Sequence, residues 1–317
     1  MDVVDVFRAR QRIAPFVRRT PLVESPWLSD AASGRVALKL ESLQLSNSFK
    51  SRGAFNAVIA RLERSVPPSQ LVTASAGNHG RGLAAAAEAF KLPLVVFTPA
   101  DAPRVKLEAI RRHGADLRAV GRDYDDAERI AKQHACDTGA EFISPYNDAD
   151  VIAGAATIAL ELFEDAPDID TLVVPIGGGG LISGIGSVVK AVDPSRQVIG
   201  VEVEASHAFQ ASLAAGRLVE IVAGATLADG LGGNPDPDTI TWPCLQRVVD
   251  RIVIVDEDDL GRALVGLVEH EHLIAEGAGA AATAAVLAQR LDVAGRRVAA
   301  IVSGANIDRA RLAALLR

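Results

Sequence analysis

The stretch Ser46-Asn47-Ser48-Phe49-Lys50-Ser51-Arg52-Gly53-Ala54 sets one lysine between a polar turn and a run that opens an alanine-, phenylalanine- and valine-rich helix. Upstream, Val36 to Glu41 reads as a strand, so Lys50 falls in a strand-to-helix connection, where rigid scaffolds present catalytic groups. A lysine desolvated there loses its charge and can serve as a Schiff-base amine. A lone loop lysine is far more often simply solvated. Three further stretches turn the reading towards chemistry.

Gly177-Gly178-Gly179-Gly180-Leu181 follows the apolar strand Leu172 to Ile176. A structural turn needs one or two glycines. Four leave the backbone N–H groups unshielded at the start of a helix, and that combination binds phosphate. No Gly-Lys-Ser/Thr follows, so it is not a Walker loop, and the dinucleotide spacing is only loosely met. Ser75-Ala76-Gly77-Asn78-His79-Gly80 has the same placement after the strand Gln70 to Thr73. It offers amides, a hydroxyl and a carboxamide to a substrate carboxylate and a ring hydroxyl. Such residues also make ordinary turns and caps, and His79 by itself reads as a structural hydrogen-bonder. Ser303 ends the buried strand Val298 to Val302, where ligands of open α/β sheets gather; alone it reads as a capping serine. Glu202 and Glu204 end another strand and could bind a cation or face water, the second being the safer expectation; Asp229 and Glu276 are ambiguous in the same way. A Schiff-base lysine, a phosphate cradle, a carboxylate loop and a strand-end hydroxyl match one cofactor. Pyridoxal 5′-phosphate presents an aldehyde, a phosphate, a phenolic oxygen and a pyridine nitrogen.

The elements that must hold these groups alternate. Helices are expected over Asp5–Val17, Ala54–Leu62, Leu83–Phe90, Pro103–His113 with Gly114 as its cap, Asp123–Thr138, Ala153–Phe163, Glu257–His270 and Ala278–Gln289. Between them lie short apolar strands, Leu94–Thr98, Val198–Glu202 and Arg251–Val255 among others, while Gly230 to Pro237 reads as a loop. This rhythm means an α/β protein with parallel pairing and right-handed crossovers. The 317 residues allow one large domain or two modest ones, and 49% apolar residues suffice for a core. A net charge of −7 gives no electrostatic reason to expect nucleic acid or an anionic membrane. Cys136 and Cys244 have no metal-ligand spacing and are expected to be reduced. The N-terminus lacks a basic stretch followed by an apolar one, and Ala278 to Ala288 is too short for a span, so a cytoplasmic location is expected.

In order and spacing, the four motifs resemble the serine/threonine dehydratase family of pyridoxal-phosphate enzymes, with the tryptophan-synthase-β-like fold (fold type II). The likeness extends to Leu38 to Gln44, Thr226 to Leu231 and Ala275 to Ala280, and so over nearly the whole chain. It implies two open, mostly parallel twisted sheets flanked by helices. Residues 1–47 and 147–317 would make a large cofactor-binding domain, and 48–146 a small domain that moves on substrate binding. By the same likeness Lys50 carries the cofactor and acts as base at Cα, while Phe49 packs beside the ring. Asn78 hydrogen-bonds the phenolic oxygen, and Ser75, Ala76, Gly77, Asn78 and His79 hold the substrate carboxylate. Gly177, Gly178, Gly179, Gly180 and Leu181 hold the phosphate, and Ser303 faces the pyridine nitrogen. A hydroxyl there cannot hold a full pyridinium charge, which suits elimination. The implied reaction is α,β-elimination from a 3-hydroxy amino acid such as L-threonine or L-serine to a 2-oxo acid and ammonia, by a homodimer.

Departures from the family pattern narrow this. Related serine racemases carry a second serine where this chain has Ala76, so racemisation is expected to be weak or absent. The familiar cation site begins at the glutamate matching Glu202, but an aspartate expected near Ala208 is missing; a divalent cation therefore stays open. Gly154-Ala155-Ala156-Thr157, Ser46-Asn47 and Gly232 to Pro237 also differ, which leaves the β-substituent open and keeps hydroxyaspartate as an alternative. A C-terminal regulatory domain is not expected, and neither is feedback by isoleucine. β-Replacement or threonine synthesis on the same fold, a dinucleotide-dependent oxidoreductase and a non-catalytic binding protein are the other readings.

Overall fold

The computed structural model describes residues 2–102 and 104–317. In chain order the elements are α1 (Val3–Ile13), β1 (Leu22–Glu24), α2 (Pro26–Ala32), β2 (Arg35–Leu40), α3 (Lys50–Leu62), β3 (Leu71–Ala74), α4 (Asn78–Ala89), β4 (Leu94–Pro99), α5 (Arg104–Arg111), β5 (Asp116–Gly121), α6 (Tyr124–Thr138) and β6 (Glu141–Phe142). They continue with α7 (Ala149–Asp165), β7 (Thr171–Pro175), α8 (Gly180–Val192), β8 (Gln197–Val203), α9 (Ala208–Ala215), α10 (Thr241–Val248), β9 (Arg251–Val255), α11 (Glu257–Glu271), α12 (Gly277–Leu287), β10 (Arg297–Val302) and α13 (Arg309–Leu315).

Two sheets result. The larger has the order β1-β2-β10-β7-β8-β9, parallel except for the antiparallel β1 edge. The smaller, β5-β4-β3-β6, is parallel throughout. The α/β architecture of two mostly parallel sheets flanked by helices is thus as the family resemblance implies. Central strands are continuous apolar runs because helices cover both faces. In β7, Leu172, Val173 and Val174 are fully buried. At roughly 1.5–3 kcal/mol per fully buried aliphatic side chain, that strand alone contributes substantially before chain entropy is subtracted. α12 is apolar all round (Gly-Ala-Gly-Ala-Ala-Ala-Thr-Ala-Ala-Val-Leu), so it lies in the core against β10 and α11. No helix among the described residues is long and apolar enough to cross a membrane.

Several expectations need correcting. Lys50 is not in the connection; it is the first residue of α3, which begins four residues before Ala54. α4 begins at Asn78 rather than Leu83, so Asn78 and His79 sit in a helical first turn. α1 stops at Ile13 and α7 starts at Ala149, where the Asp148 side chain caps the N–H groups of Asp150 and Val151. α5 ends at Arg111, and Pro103 lies outside the described residues. Strands β1 and β5 and helices α2, α9, α10 and α13 were not expected from the sequence. β5 is a polar edge strand whose residues alternate charge and apolarity without an apolar run.

Candidate active site

The C-terminal ends of β3, β7 and β10 open on one cavity of about 460 Å³. Lys50, Phe49, Ser75 to His79, Gly177 to Leu181 and Ser303 all line it. The sequence singled out these residues from four separate stretches, and the fold brings them together.

Lys50 is held from two directions. Ser48 bridges Gly304, and the Phe49 N–H donates to Ser303 O at 3.0 Å, so the start of α3 is tied to the end of β10. Lys50 Nζ donates to Pro145 O at 2.7 Å and stands 5.1 Å from the centroid of the Phe49 ring. The protein enclosing this amine lowers its pKa to about 8. Two residues on, Arg52 anchors the helix beneath. Its guanidinium grips Glu41 through Nε at 2.9 Å and Nη2 at 2.8 Å, and Glu161 through Nη1 at 2.7 Å and Nη2 at 2.9 Å. Lys39 Nζ completes the set at 2.6 Å from Glu161. Arg52, Lys39 and Glu41 are each no more than 1% exposed. Two cations and two anions thus cancel inside the protein, as buried charges must. This tetrad was not expected from the sequence, although charges inside apolar runs, such as Lys39 between Leu38 and Leu40, were a signal.

The glycine turn is shaped by close approach. Gly179 adopts φ +82° and precedes α8, whose first residue is Gly180. A Cβ on Gly178 would lie 2.2 Å from the ring of Tyr146. Thr241 Oγ1 donates to Gly178 O at 2.9 Å, and Tyr146 accepts the Asp236 N–H at its hydroxyl at 3.0 Å. Tyr146, missed in sequence, is therefore the wall of the cradle. At the other turn, Ser75 Oγ accepts the N–H groups of Gly77 at 3.2 Å and Gly80 at 3.0 Å. His79 is buried, its Nε2 faces Ile143 O at 3.3 Å, and burial together with the Lys50 charge lowers its pKa to about 3. It is neutral, as its structural reading requires. Ala76 brings only a methyl group.

Ser303 Oγ donates to Ala278 O at 3.3 Å. Glu276, ambiguous in sequence, is a buried cavity residue whose carboxyl accepts from Asn78 Nδ2; burial raises its pKa to about 7. Asp229 pairs with Lys106 at the cavity edge. The expectation for Glu202 fails: it does not face water. It is buried, and its oxygens accept the N–H groups of Phe209 at 2.9 Å and Gln210 at 2.8 Å, closing the first turn of α9. Glu204, the first residue after β8, is exposed as expected. Cys136 and Cys244 are both free.

An enclosed amine of lowered pKa, an N-terminal glycine cradle closed by Tyr146, and hydroxyl and amide groups between them fit pyridoxal 5′-phosphate. The chain belongs to the pyridoxal-phosphate-dependent enzymes, whose family model matches residues 13–304. It is 42% identical over 304 residues to an L-threonine ammonia-lyase of Thermotoga maritima, covering 96% of this chain and 75% of that one. Among solved structures it resembles maize serine racemase (TM-score 0.93, 33% identity, covering 99% and 96% of the two chains). It also resembles the processed form of threonine deaminase isoform 2 from Solanum lycopersicum (TM-score 0.89, 30% identity, covering 99% and 93%).

Proposed function

We infer that this chain is an ammonia-lyase that converts a 3-hydroxy amino acid, L-threonine or L-serine, to a 2-oxo acid and ammonia. The observation that carries the reading is the Lys50 amine, enclosed and lowered to about pKa 8, at the same cavity as the phosphate cradle and the Ser75 turn. Relatives named for that activity, matched over 96% and 98% of this chain, support it. When bound, pyridoxal phosphate supplies an aldehyde that holds the amino nitrogen and a ring that accepts electrons from Cα.

The protein's own groups do the rest. Amides at Gly177 to Leu181 and the α8 N-terminus would hold the phosphate, with Tyr146 walling one side. Asn78 would serve the phenolic oxygen and Ser303 the pyridine nitrogen. Amides and the Ser75 hydroxyl in the Ser75–His79 turn hold the substrate carboxylate, which fixes the Cα–H bond for removal. Lys50 Nζ would take that proton as general base; a pKa lowered to about 8 suits the transfer. The β-hydroxyl would leave as water, its added proton balancing the one taken from Cα, and hydrolysis of the unsaturated amine would consume one water and release ammonia.

Racemisation is the second reading, favoured by the likeness to serine racemase. Ala76 speaks against it, because it offers no proton donor for a second face. Residues 48–146 act as the unit that moves on substrate binding, and the Lys106–Asp229 pair at the cavity edge supports such a closure. The resemblance also supports a homodimer working in the cytoplasm, with sedimentation as its check. The deciding assay is 2-oxo acid release from L-threonine, L-serine and threo- and erythro-3-hydroxyaspartate, with Lys50→Ala as control. Product from L-threonine or L-serine, lost in the control, is expected. Product from none of the four, with a lysine-bound cofactor present, would overturn the reading in favour of β-replacement, and D-serine formed from L-serine would overturn the argument from Ala76.

A further inference from the structure

The side-chain amide of Asn78 is gripped at both ends. Its Oδ1 accepts from Asn306 Nδ2 at 2.6 Å, and its Nδ2 donates to Glu276 Oε1. Asn306 cannot turn round. Its Nδ2 also donates to Ser46 O at 2.8 Å, while its Oδ1 accepts from Arg81 Nη1. A guanidinium can only donate and a main-chain carbonyl can only accept, so these neighbours decide which end of the amide faces which way. Hydrogen-bond polarity therefore runs in one direction, from Arg81 through Asn306 and Asn78 to Glu276.

The far end is fixed as well. The Glu276 N–H donates to Gly304 O at 3.0 Å, and a Cβ on Gly304 would stand 2.2 Å from Glu276 Oε1. Only a glycine leaves room for the carboxyl. Protonated on its other oxygen or ionised, Glu276 still offers Oε1 as an acceptor. An amide nitrogen carries two hydrogens. One of those on Asn78 is committed to Glu276, and the second is left for the cavity that Asn78, Arg81, Glu276 and Asn306 all line.

We propose that Arg81, Asn306 and Glu276 are positioning residues that lock Asn78 as a hydrogen-bond donor towards the phenolic oxygen of the bound cofactor. A reversed Asn78 would turn its own carbonyl oxygen on that oxygen and repel it. The inference rests on Asn78 serving the cofactor, so the test carries Asn78→Ala alongside.

Apoprotein is titrated with pyridoxal phosphate to obtain its dissociation constant and the position of the visible band of the lysine-bound cofactor. Asn306→Asp replaces the donor facing Asn78 by an acceptor at constant shape, and Glu276→Leu removes the acceptor. Both are expected to weaken cofactor binding about tenfold, the scale of one lost buried partner, and to shift the band. Glu276→Gln, whose Oε1 still accepts, is expected to restore both. Melting of each apoprotein separates this from misfolding, and Arg81→Met, altered at the half-buried end of the relay, is expected to show the same signature if the core variants do not fold. Unchanged affinity and band in Asn306→Asp and Glu276→Leu, with Asn78→Ala impaired, would overturn the relay. Unchanged values in Asn78→Ala as well would overturn the assignment of Asn78 to the cofactor and leave the lyase reading standing.

Discussion

Two strand-to-helix turns border the cavity, and they are built in opposite ways. Gly177 to Gly180 is fixed by exclusion: Gly178 lies under the Tyr146 ring, and Gly179 holds a left-handed conformation with Thr241 beside it. Ser75 to Gly80 is fixed by one hydroxyl that accepts two N–H groups, and nothing stands within 4 Å of where a Cβ on Gly77 would be. The first turn has no room to give, which suits a phosphate that stays through every turnover. The second keeps open space, which suits a carboxylate that must enter and leave.

The largest effect tests the lysine between them. Lys50→Ala is expected to lower 2-oxo acid formation by about 10²–10⁴-fold, the usual worth of a positioned proton-transfer group; activity within tenfold of the unaltered enzyme would remove Lys50 from the chemistry. Next, Gly178→Ala drives a methyl into the Tyr146 ring, costing about 1–3 kcal/mol of stability for an overpacked site. It should also release cofactor, and a melting temperature and cofactor content equal to the parent's would show that the cradle yields after all.

A smaller effect separates the turns by pH. Only the Ser75 turn contains a titrating group, His79, whose pKa is lowered from 6.5 to about 3 by burial. The unfolded chain therefore binds a proton that the folded chain refuses, so this contribution to stability is lost as pH falls from 6.5 towards 3. His79→Gln should flatten that part of the melting profile; an unaltered slope would mean the ring is not desolvated. Smallest of all, Gly77→Ala should leave stability within about 0.5 kcal/mol while raising KM for substrate. A large loss of stability there would erase the contrast between the two turns.

The candidate site residues were legible because each lies in a short stretch of unusual composition after an apolar strand. Lys50, the four glycines, the Ser75 turn and Ser303 all lie at the cavity. What stayed hidden depends on tertiary placement. Tyr146 is one aromatic among several until Gly178 is found beneath it, and Arg81 and Asn306 gain meaning only from the amide they orient. Glu202 looked like a solvated carboxylate because α9, whose N–H groups it receives, was itself not legible. The short edge β1 and the polar edge β5 were missed for want of apolar runs, and α2 although Ser25-Pro26 carries a start signal.

The tetrad under Lys50 bears on how such a chain can change over time. Arg52, Lys39, Glu41 and Glu161 balance one another out of reach of water. Replacing any one strands an opposite charge, at about 3–5 kcal/mol, which rivals the whole margin by which a domain stays folded. Single substitutions there are barriers, and only concerted ones are passable. The ground beneath Lys50 is thus insulated from gradual drift, while the cavity rim around it is free to explore new substrates.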